Sequence, residues 1–278
     1  MSDATAGDRS LNPLRDLWAA GGGAVNGWLS IGSPFVAEIM AAQGYDSVTV
    51  DLQHGALDYS DALPMFQAMR ASGVAVMARV PWLDPGAIMK ALDAGAWGII
   101  CPMINNRAEA ERFVSCLRYP PLGTRSFGPT RVGFAAGPGY YAGANAGVVG
   151  FAMIETAEAM ANLDEIVATP GLDAVYVGPA DLTLGVAQGR LAPGFDRAEP
   201  EMDAAIGRIL AATRAAGIRA GIHCGSPDYA AGALARGFDL VTVANDVRLL
   251  AAAAGASVAR VRELRGRDHD AGRGASSY

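Results

Sequence analysis

Short runs of β-branched and aromatic residues alternate along the chain with longer stretches in which apolar residues recur every three to four positions. The first kind of segment predicts strands at 27–31, 47–52, 74–80, 98–103, 148–154, 174–178, 219–223 and 240–244. The second predicts helices at 35–43, 60–72, 85–94, 107–118, 157–168, 199–216, 228–236 and 248–264. The strands are almost continuously apolar, as parallel strands covered by helices must be. Eight strands alternating with eight helices predict an α/β fold of the (β/α)8 kind, a TIM barrel in a single domain. A doubly wound sheet is the alternative, but eight repeats are many for it and no GxGxxG follows the first strand.

The barrel is expected over residues 21–264, between a flexible N-terminal segment, 1–20, and a flexible polar tail, 265–278, which carries a solvated His269. One stretch breaks the rhythm. Residues 119–146, YPPLGTRSFGPTRVGFAAGPGYYAGANA, form a long Gly-, Pro- and aromatic-rich connection, expected to act as a lid or a subunit contact.

Composition sharpens this reading. A chain of 278 residues with 51% hydrophobic and 18% charged positions can bury a sizeable core, which excludes disorder as its main state. A net charge of −6 argues against a nucleic-acid or membrane partner. The apolar stretch 94–104 is too short to span a bilayer, and the polar, acid-containing start MSDATAGDRS does not read as a signal peptide. Cys101, Cys116 and Cys224 are odd in number and scattered without a CxxC, which suits reduced thiols and a cytoplasmic location. Lys90 is the only lysine. It lies inside a predicted helix past the third strand, a poor place for an imine at a barrel mouth, so a Schiff-base aldolase or a pyridoxal enzyme is not expected.

Barrel chemistry sits where strands end, at their C-terminal side. There the sequence places Asp51, Gln53 and His54 (VTVDLQHG), Arg79 (VMARVPW), Glu155 and Thr156 (FAMIET), and Asp181 (VYVGPADL). Singly, each has a structural explanation: Asp51 could cap a loop, Arg79 could pair with a core acid, and Glu155 or Asp181 could cap a helix. Four strands ending this way together point to a site. Glu155 and Asp181 are hard oxygen ligands with no histidine near them in sequence, a set that favours Mg²⁺ or Mn²⁺ over zinc. A 2-oxo acid, chelating through carboxylate and keto oxygens, is a natural occupant. Arg79 could stabilise negative charge as an enolate forms, and His54 could serve as acid or base. His223 and Cys224 read as packing at the barrel rim, and Cys101 as a buried thiol. No GxSxG hydrolase elbow is present.

The segments VDLQHG, ARVPW, MIET and VGPADL, in that order, together with RYPPLGTRS and GWLSIGSPFVAEIMAAQGYD, resemble the HpcH/HpaI aldolase/citrate lyase family over about residues 24–262. The likeness is greatest to its metal-dependent pyruvate aldolases of the 4-hydroxy-2-oxoheptanedioate type. The resemblance implies a (β/α)8 barrel that reversibly cleaves a 4-hydroxy-2-oxo acid to pyruvate or hydroxypyruvate and an aldehyde. It implies Glu155 and Asp181 as ligands of Mg²⁺, Mn²⁺ or Co²⁺, His54 as acid/base and Arg79 as the enolate's partner. Asp93 of KALDAG would raise the basicity of His54, and Asp51 would share in orienting it. Ala180 and Asp181 would contact the substrate carboxylate, with Trp28, Met153, Gly178 and Pro179 lining the substrate. Met153 stands where many relatives carry glutamine, and Gln53 where a DGEH motif carries glutamate. A homo-oligomer is implied, a hexamer built as a trimer of dimers, with the Ala-rich segment after Val247 packing on a neighbour. The runner-up is a same-family enolate enzyme of another type, such as a citrate-synthase-like condensing enzyme, an acyl-CoA lyase or a decarboxylating synthase. For a CoA ester, Arg118, Arg125 and Arg131 offer basic residues. A non-catalytic barrel subunit is the remaining alternative.

Overall fold

The computed structural model describes residues 11–264. Eight parallel strands close into a barrel in sequence order: β1 Ala24–Leu29, β2 Ser47–Asp51, β3 Ala75–Arg79, β4 Gly98–Cys101, β5 Val149–Ile154, β6 Ala174–Val177, β7 Arg219–Cys224 and β8 Leu240–Val243. β1 pairs with both β2 and β8, which closes the ring and leaves no sheet edge open. Each strand is followed by helical structure, so the predicted (β/α)8 architecture is the observed one.

Two apolar layers hold it together. One fills the barrel, where Trp28, Met77, Ile100, Phe151, Met153 and Tyr176 interdigitate. The other lies between the strands and the surrounding helices. The first strand starts three residues earlier than the apolar run predicts, because polar Asn26 belongs to it. Its amide is satisfied inside the barrel: Ser47 Oγ and Thr49 Oγ1 donate to Asn26 Oδ1, and Nδ2 donates to Thr242 Oγ1.

At the N-terminal ends of the strands a short motif repeats: GYD before β2, GLD before β6 and GFD before β8. Each aspartate accepts the backbone N–H of the preceding strand, Asp46 from Val25, Asp173 from Gly150 and Asp239 from Ala220. The acids thereby cap donors that have no strand partner at the barrel floor.

Three sequence expectations need correction. Residues 11–20, read as part of a flexible segment, contain helix α1, Pro13–Ala19, capped by the buried Asn12. Leu14 and Trp18 close the barrel floor, with Trp18 edge-on to Phe151 at 6.1 Å and its indole donating to Asp239 O. Seven residues are too few to show a helical period, so burial decides here rather than pattern. Residues 1–10 and the tail at 265–278, with His269, lie outside the described residues.

The 119–146 connection is not a lid on the chain's own mouth. It follows α5 (the helix Arg107–Leu117; α2 is Pro34–Ala41, α3 Tyr59–Met69 and α4 Pro85–Ala94) and leads into β5, so it runs across the N-terminal end of the barrel. It folds into two short helices, α6 Thr130–Ala136 and α7 Tyr140–Gly147, over Tyr119, Val132, Tyr140 and Ala144. The predicted helix 157–168 is likewise two, α8 Ala157–Ala161 and α9 Leu163–Val167, broken at Asn162, whose Nδ2 donates to Asn105 O.

Candidate active site

A cavity of about 450 Å³ opens at the C-terminal ends of the strands. On one side stand Glu155, directly after β5, and Asp181, in the first turn of α10 (Pro179–Ala187). Glu155 Oε1 accepts the backbone N–H of Met103 at 2.8 Å, a donor aimed by the left-handed backbone of Met103, φ 57°. Its other oxygen lies beside Gly178: a Cβ there would stand 2.5 Å from Glu155 Oε2, which explains the glycine of the GPADL motif. Burial, and then the charge of Asp181, push the Glu155 carboxyl up to about 7, against the pull of the Met103 N–H.

α10 presents a helix N-terminus to the same space. Gly178 caps it without a side-chain hydrogen bond, and the first-turn amides of Ala180 and Asp181 have no intrahelical acceptor. Met153 faces the cavity from inside the barrel. Pro179 does not line it; it is buried at the helix start, and its carbonyl accepts from Thr183 Oγ1.

Opposite stand Asp51, His54 and Arg79. Arg79 Nε and Nη2 donate to the two Asp51 oxygens at 2.8 and 2.6 Å, and Trp28 Nε1 donates to Asp51 Oδ2 at 3.1 Å. The guanidinium lies 4.8 Å over the Trp28 ring. Burial would raise the Asp51 carboxyl, but the Arg79 guanidinium and the His54 N–H hold it below the usual carboxylate range. Asp51 thus acts on His54 through its backbone N–H, at 3.2 Å, and fixes the turn rather than the imidazole. The His54 ring is exposed and lines the cavity. Trp28, expected to touch substrate, lines the cavity and also braces the Asp51–Arg79 pair.

Asp93 does not join this site within the chain. It lies near the end of α4, which runs from the mouth to the floor, and Arg125 Nη2 donates to its Oδ1 at 2.7 Å. The three arginines considered for a CoA ester are also committed at the floor. Arg118 pairs with Asp173, Arg125 with Asp93, and Arg131 donates to the carbonyls of Ala94 and Phe66. Lys90 sits in α4 with its ammonium 5.4 Å from the Tyr59 ring, away from the cavity.

Sequence reasoning missed a third wall. His223, read as rim packing, lines the cavity together with Phe195, Asn245 and Arg248. Its imidazole stacks on Phe195 at 4.7 Å, meets Trp28 edge-on at 5.0 Å, and has Nδ1 3.3 Å from Tyr176 Oη. Burial, and then the charge of Arg79, push it down to about 3, so the ring is neutral at physiological pH. Its position at the end of β7 was the available signal.

Among the described residues, no three His, Cys, Asp or Glu side chains converge as a ready-made metal cage. Glu155 and Asp181 form a two-carboxylate set: all oxygen, close enough for the Asp181 charge to raise the proton affinity of Glu155, and open on the cavity side. That donor chemistry fits a hard divalent cation with positions left for water and a chelating ligand.

Taken with the barrel, the site defines an α/β-barrel enzyme with its polar groups at the strand ends. A family model described as HpcH/HpaI aldolase/citrate lyase matches residues 26–253, and the chain belongs to that family. It is 45% identical over 254 residues to a hydroxypyruvate/pyruvate aldolase of Rhizorhabdus wittichii, covering 91% of this chain and 100% of the relative. It is 34% identical over 254 residues to a 4-hydroxy-2-oxo-heptane-1,7-dioate aldolase of Salmonella dublin, covering 90% and 94%. Among solved structures, a HpcH/HpaI aldolase/citrate lyase family protein of Burkholderia cenocepacia matches with TM-score 0.79 and 33% identity, covering 86% of this chain and 95% of that one. The chain is an enzyme, a carbon–carbon lyase of the aldolase class.

Proposed function

We propose that the chain is a divalent-metal-dependent aldolase that reversibly cleaves a 4-hydroxy-2-oxo acid to pyruvate or hydroxypyruvate and an aldehyde. The observation that carries this reading is the face-to-face placement of two groups across one cavity. The Glu155–Asp181 carboxylates, beside the α10 amides, stand on one side, and the Asp51-braced Arg79 with His54 on the other. Glu155 and Asp181 would hold the ion, for which Mg²⁺, Mn²⁺ or Co²⁺ suits the oxygen donors; when bound, it supplies Lewis acidity toward the keto oxygen.

The chain's own residues do the rest. The amides of Ala180 and Asp181 receive the substrate carboxylate at the helix N-terminus. Asp51 occupies Nε and Nη2 of Arg79, which leaves Nη1 for the oxygen on which negative charge gathers. His54 takes the proton of the 4-hydroxyl; the C3–C4 bond breaks, the hydroxyl carbon leaves as an aldehyde, and its bonding electrons pass to C3 as the enolate. Protonation of C3 releases the 2-oxo acid. Arg79 stays fixed throughout because Asp51 and Trp28 hold it, so little reorganisation is needed as charge develops.

The test is an assay of the purified protein, loaded with Mg²⁺ or Mn²⁺ and given pyruvate or hydroxypyruvate with a panel of aldehydes. The expected result is aldol product that disappears on chelation with EDTA. Turnover unchanged by EDTA, and by Glu155→Ala, would sink the metal mechanism.

We also propose a homo-oligomer. The last helix, α13 (Asp246–Leu264), is exposed along its length after Asp246, and Leu250, Val258, Val261 and Leu264 stand in water at 49–68% exposure. A second copy of the chain would cover them. Light scattering that finds only a monomer would remove this proposal. No helix among the described residues is long and apolar enough to cross a membrane.

A further inference from the structure

Buried polar side chains form a hydrogen-bonded chain that runs through the inside of the barrel and ends at its mouth. Ser47 Oγ and Thr49 Oγ1 donate to Asn26 Oδ1, which turns the amide nitrogen of Asn26 toward Thr242 Oγ1, 2.9 Å away. Tyr176 Oη donates to the same threonine oxygen at 2.7 Å. The last link is His223, whose Nδ1 lies 3.3 Å from Tyr176 Oη.

The direction of this chain fixes the proton on His223. A phenol has one hydrogen, and Tyr176 spends it on Thr242. Toward His223 the phenol oxygen therefore accepts, and Nδ1 carries the hydrogen. Trp28, edge-on at 5.0 Å, and Phe195, stacked at 4.7 Å, shield the ring from water. That burial, and then the Arg79 charge, keep the imidazole neutral. A neutral ring with its hydrogen on Nδ1 has a lone pair on Nε2. The ring's own shape aims Nε2 away from Tyr176, and it has no partner among the described residues. His223 lines the cavity, so this lone pair is offered to whatever the cavity holds.

The acceptors around it have other work. Both Asp51 oxygens accept from Arg79, and one accepts from Trp28 as well. Glu155 and Asp181 carry the charge that suits a divalent ion. Nε2 of His223 is uncharged and set among aromatic carbons, so its counterpart is a neutral donor, and a hydroxyl is the group that fits. A ligand without that hydroxyl leaves the lone pair dry and unpaired, which is how a site comes to reject the deoxy analogue. The place is also right. The Trp28 indole that meets His223 carries the Arg79 guanidinium 4.8 Å from its ring centroid, so the imidazole stands one side chain away from the group that answers the developing charge.

We propose that His223 Nε2 is a fixed hydrogen-bond acceptor for a substrate hydroxyl at or beside the carbons being joined, other than the 4-hydroxyl itself, so that this enzyme selects hydroxylated over deoxy substrates. Tyr176 is the positioning residue that holds the tautomer. The hydroxyl belongs to the 2-oxo acid, as in hydroxypyruvate, or to the aldehyde, as in glycolaldehyde; the recognising chemistry is the same. The proposal rests on the aldolase reading above, and its test separates the two.

Two ratios of kcat/KM are measured on the Mg²⁺-loaded protein: hydroxypyruvate over pyruvate with one aldehyde, and glycolaldehyde over acetaldehyde with pyruvate. Intrinsic reactivity cancels when each ratio is compared between wild type and variant. His223→Phe, which fills the space without an acceptor, should lower one ratio about tenfold, the scale of one hydrogen bond with an unpaired partner left behind. A fall in the first ratio puts the hydroxyl on the 2-oxo acid, and a fall in the second puts it on the aldehyde. His223→Gln, whose amide oxygen reaches the Nε2 position, should restore part of the lost preference. Nitrogen-15 spectra of histidine-labelled protein supply a readout independent of turnover. The signals lost in His223→Gln should show a protonated Nδ1 and a bare Nε2 in the wild type, and Tyr176→Phe should shift the proton toward Nε2. Ratios that both stay within twofold in His223→Phe, or a wild-type ring protonated on Nε2, overturn the proposal. If the substrates still turn over in that case, the aldolase reading stands. If no pair turns over and the C3 protons of pyruvate do not exchange with deuterated water, that reading falls and takes the role of His223 with it.

Discussion

The two ends of the barrel are built from the same parts and do opposite work. Both carry buried or half-buried carboxylate–arginine pairs: Asp51–Arg79 at the mouth, and Asp173 with Arg15 and Arg118 at the floor. At the floor the Asp173 carboxylate is fully consumed, both of its oxygens accepting hydrogen bonds. Asp173 takes two arginines and the Gly150 N–H, and Arg118 also donates to Val148 O. At the mouth the pair is left incomplete on the cavity side: Arg79 keeps Nη1, His54 lies exposed, and the α10 amides face open space. Saturated ion pairs hold a fold; pairs with one donor left over, facing a cavity, are poised for a ligand.

The largest expected effect lies at the open end. Glu155→Gln removes a charge from the candidate ligand set but keeps the Met103 contact and the shape. We expect kcat to fall by about 10³-fold or more, because electrophilic stabilisation of several kcal/mol is lost. The rise in Tm on adding Mg²⁺ or Mn²⁺ should vanish with it. An active variant that still gains thermal stability from the metal would place the ion elsewhere.

The comparison itself can be tested with one chemical change made at each end. Asp51→Asn loosens the grip on Arg79 and on the His54 turn, and should cost about 10²-fold in kcat, the scale of an ångström's misplacement of a catalytic group. Asp173→Asn leaves Arg118 buried with its charge unanswered and should cost about 3 kcal/mol of stability. Its turnover per folded molecule should stay within about twofold, since the site lies at the far end of the strands. Denaturant melts and active-site-normalised kinetics separate the two. If Asp173→Asn damages kcat as Asp51→Asn does, the division into a structural and a chemical end is wrong.

Much of this division is legible in the sequence. The period of the apolar runs, and the polar residues that end β2, β3, β5 and β6, mark the barrel and its mouth, because strand ends obey a local rule. What stayed hidden depends on contacts between segments far apart in sequence. Helix α1 is too short to show a period, and the 119–146 stretch reads as loop because Gly and Pro mask two helices held by Tyr119 and Tyr140. His223 was visible at a strand end, but Phe195 and Tyr176, which give it a role, come from an irregular segment and from another strand. For Asp93, the motif match identified a residue and not a place: α4 carries it to the floor, where Arg125 holds it.

A gentler contrast between the ends comes from pH. The Glu155 carboxyl is raised from 4.5 to about 7 by burial and by Asp181. Its contribution to stability is therefore fully present below about 4.5 and is lost as pH rises through about 7, when the buried group ionises. A divalent cation that binds the ionised pair reverses this loss. The Tm gain on adding Mg²⁺ or Mn²⁺ should thus be larger at pH 8 than at pH 5, a difference read by thermal melts with and without EDTA. Asp173→Asn should keep the same pH dependence from a lower baseline, and Glu155→Gln should flatten it. A metal-induced gain of equal size at both pH values would disconnect the carboxylate pair from the ion.

The smallest expected effect is at Lys90, and it bears directly on the chemistry of the mouth. An imine mechanism would need this residue, the only lysine of the chain, to reach the keto carbon. The structure puts its ammonium on the Tyr59 ring in the helical layer, while the cavity contains carboxylates, an arginine and backbone amides suited to holding an enolate without a covalent bond. Lys90→Met gives up only an exposed cation–π contact, about 0.5 kcal/mol, so kcat and KM should remain within about twofold of the wild type. Borohydride added during turnover with pyruvate should trap nothing on the wild-type chain. A dead Lys90→Met enzyme, joined by a pyruvate adduct that forms only when Lys90 is present, would move the electron sink from the mouth of the barrel to a side chain that would have to leave its helix to get there.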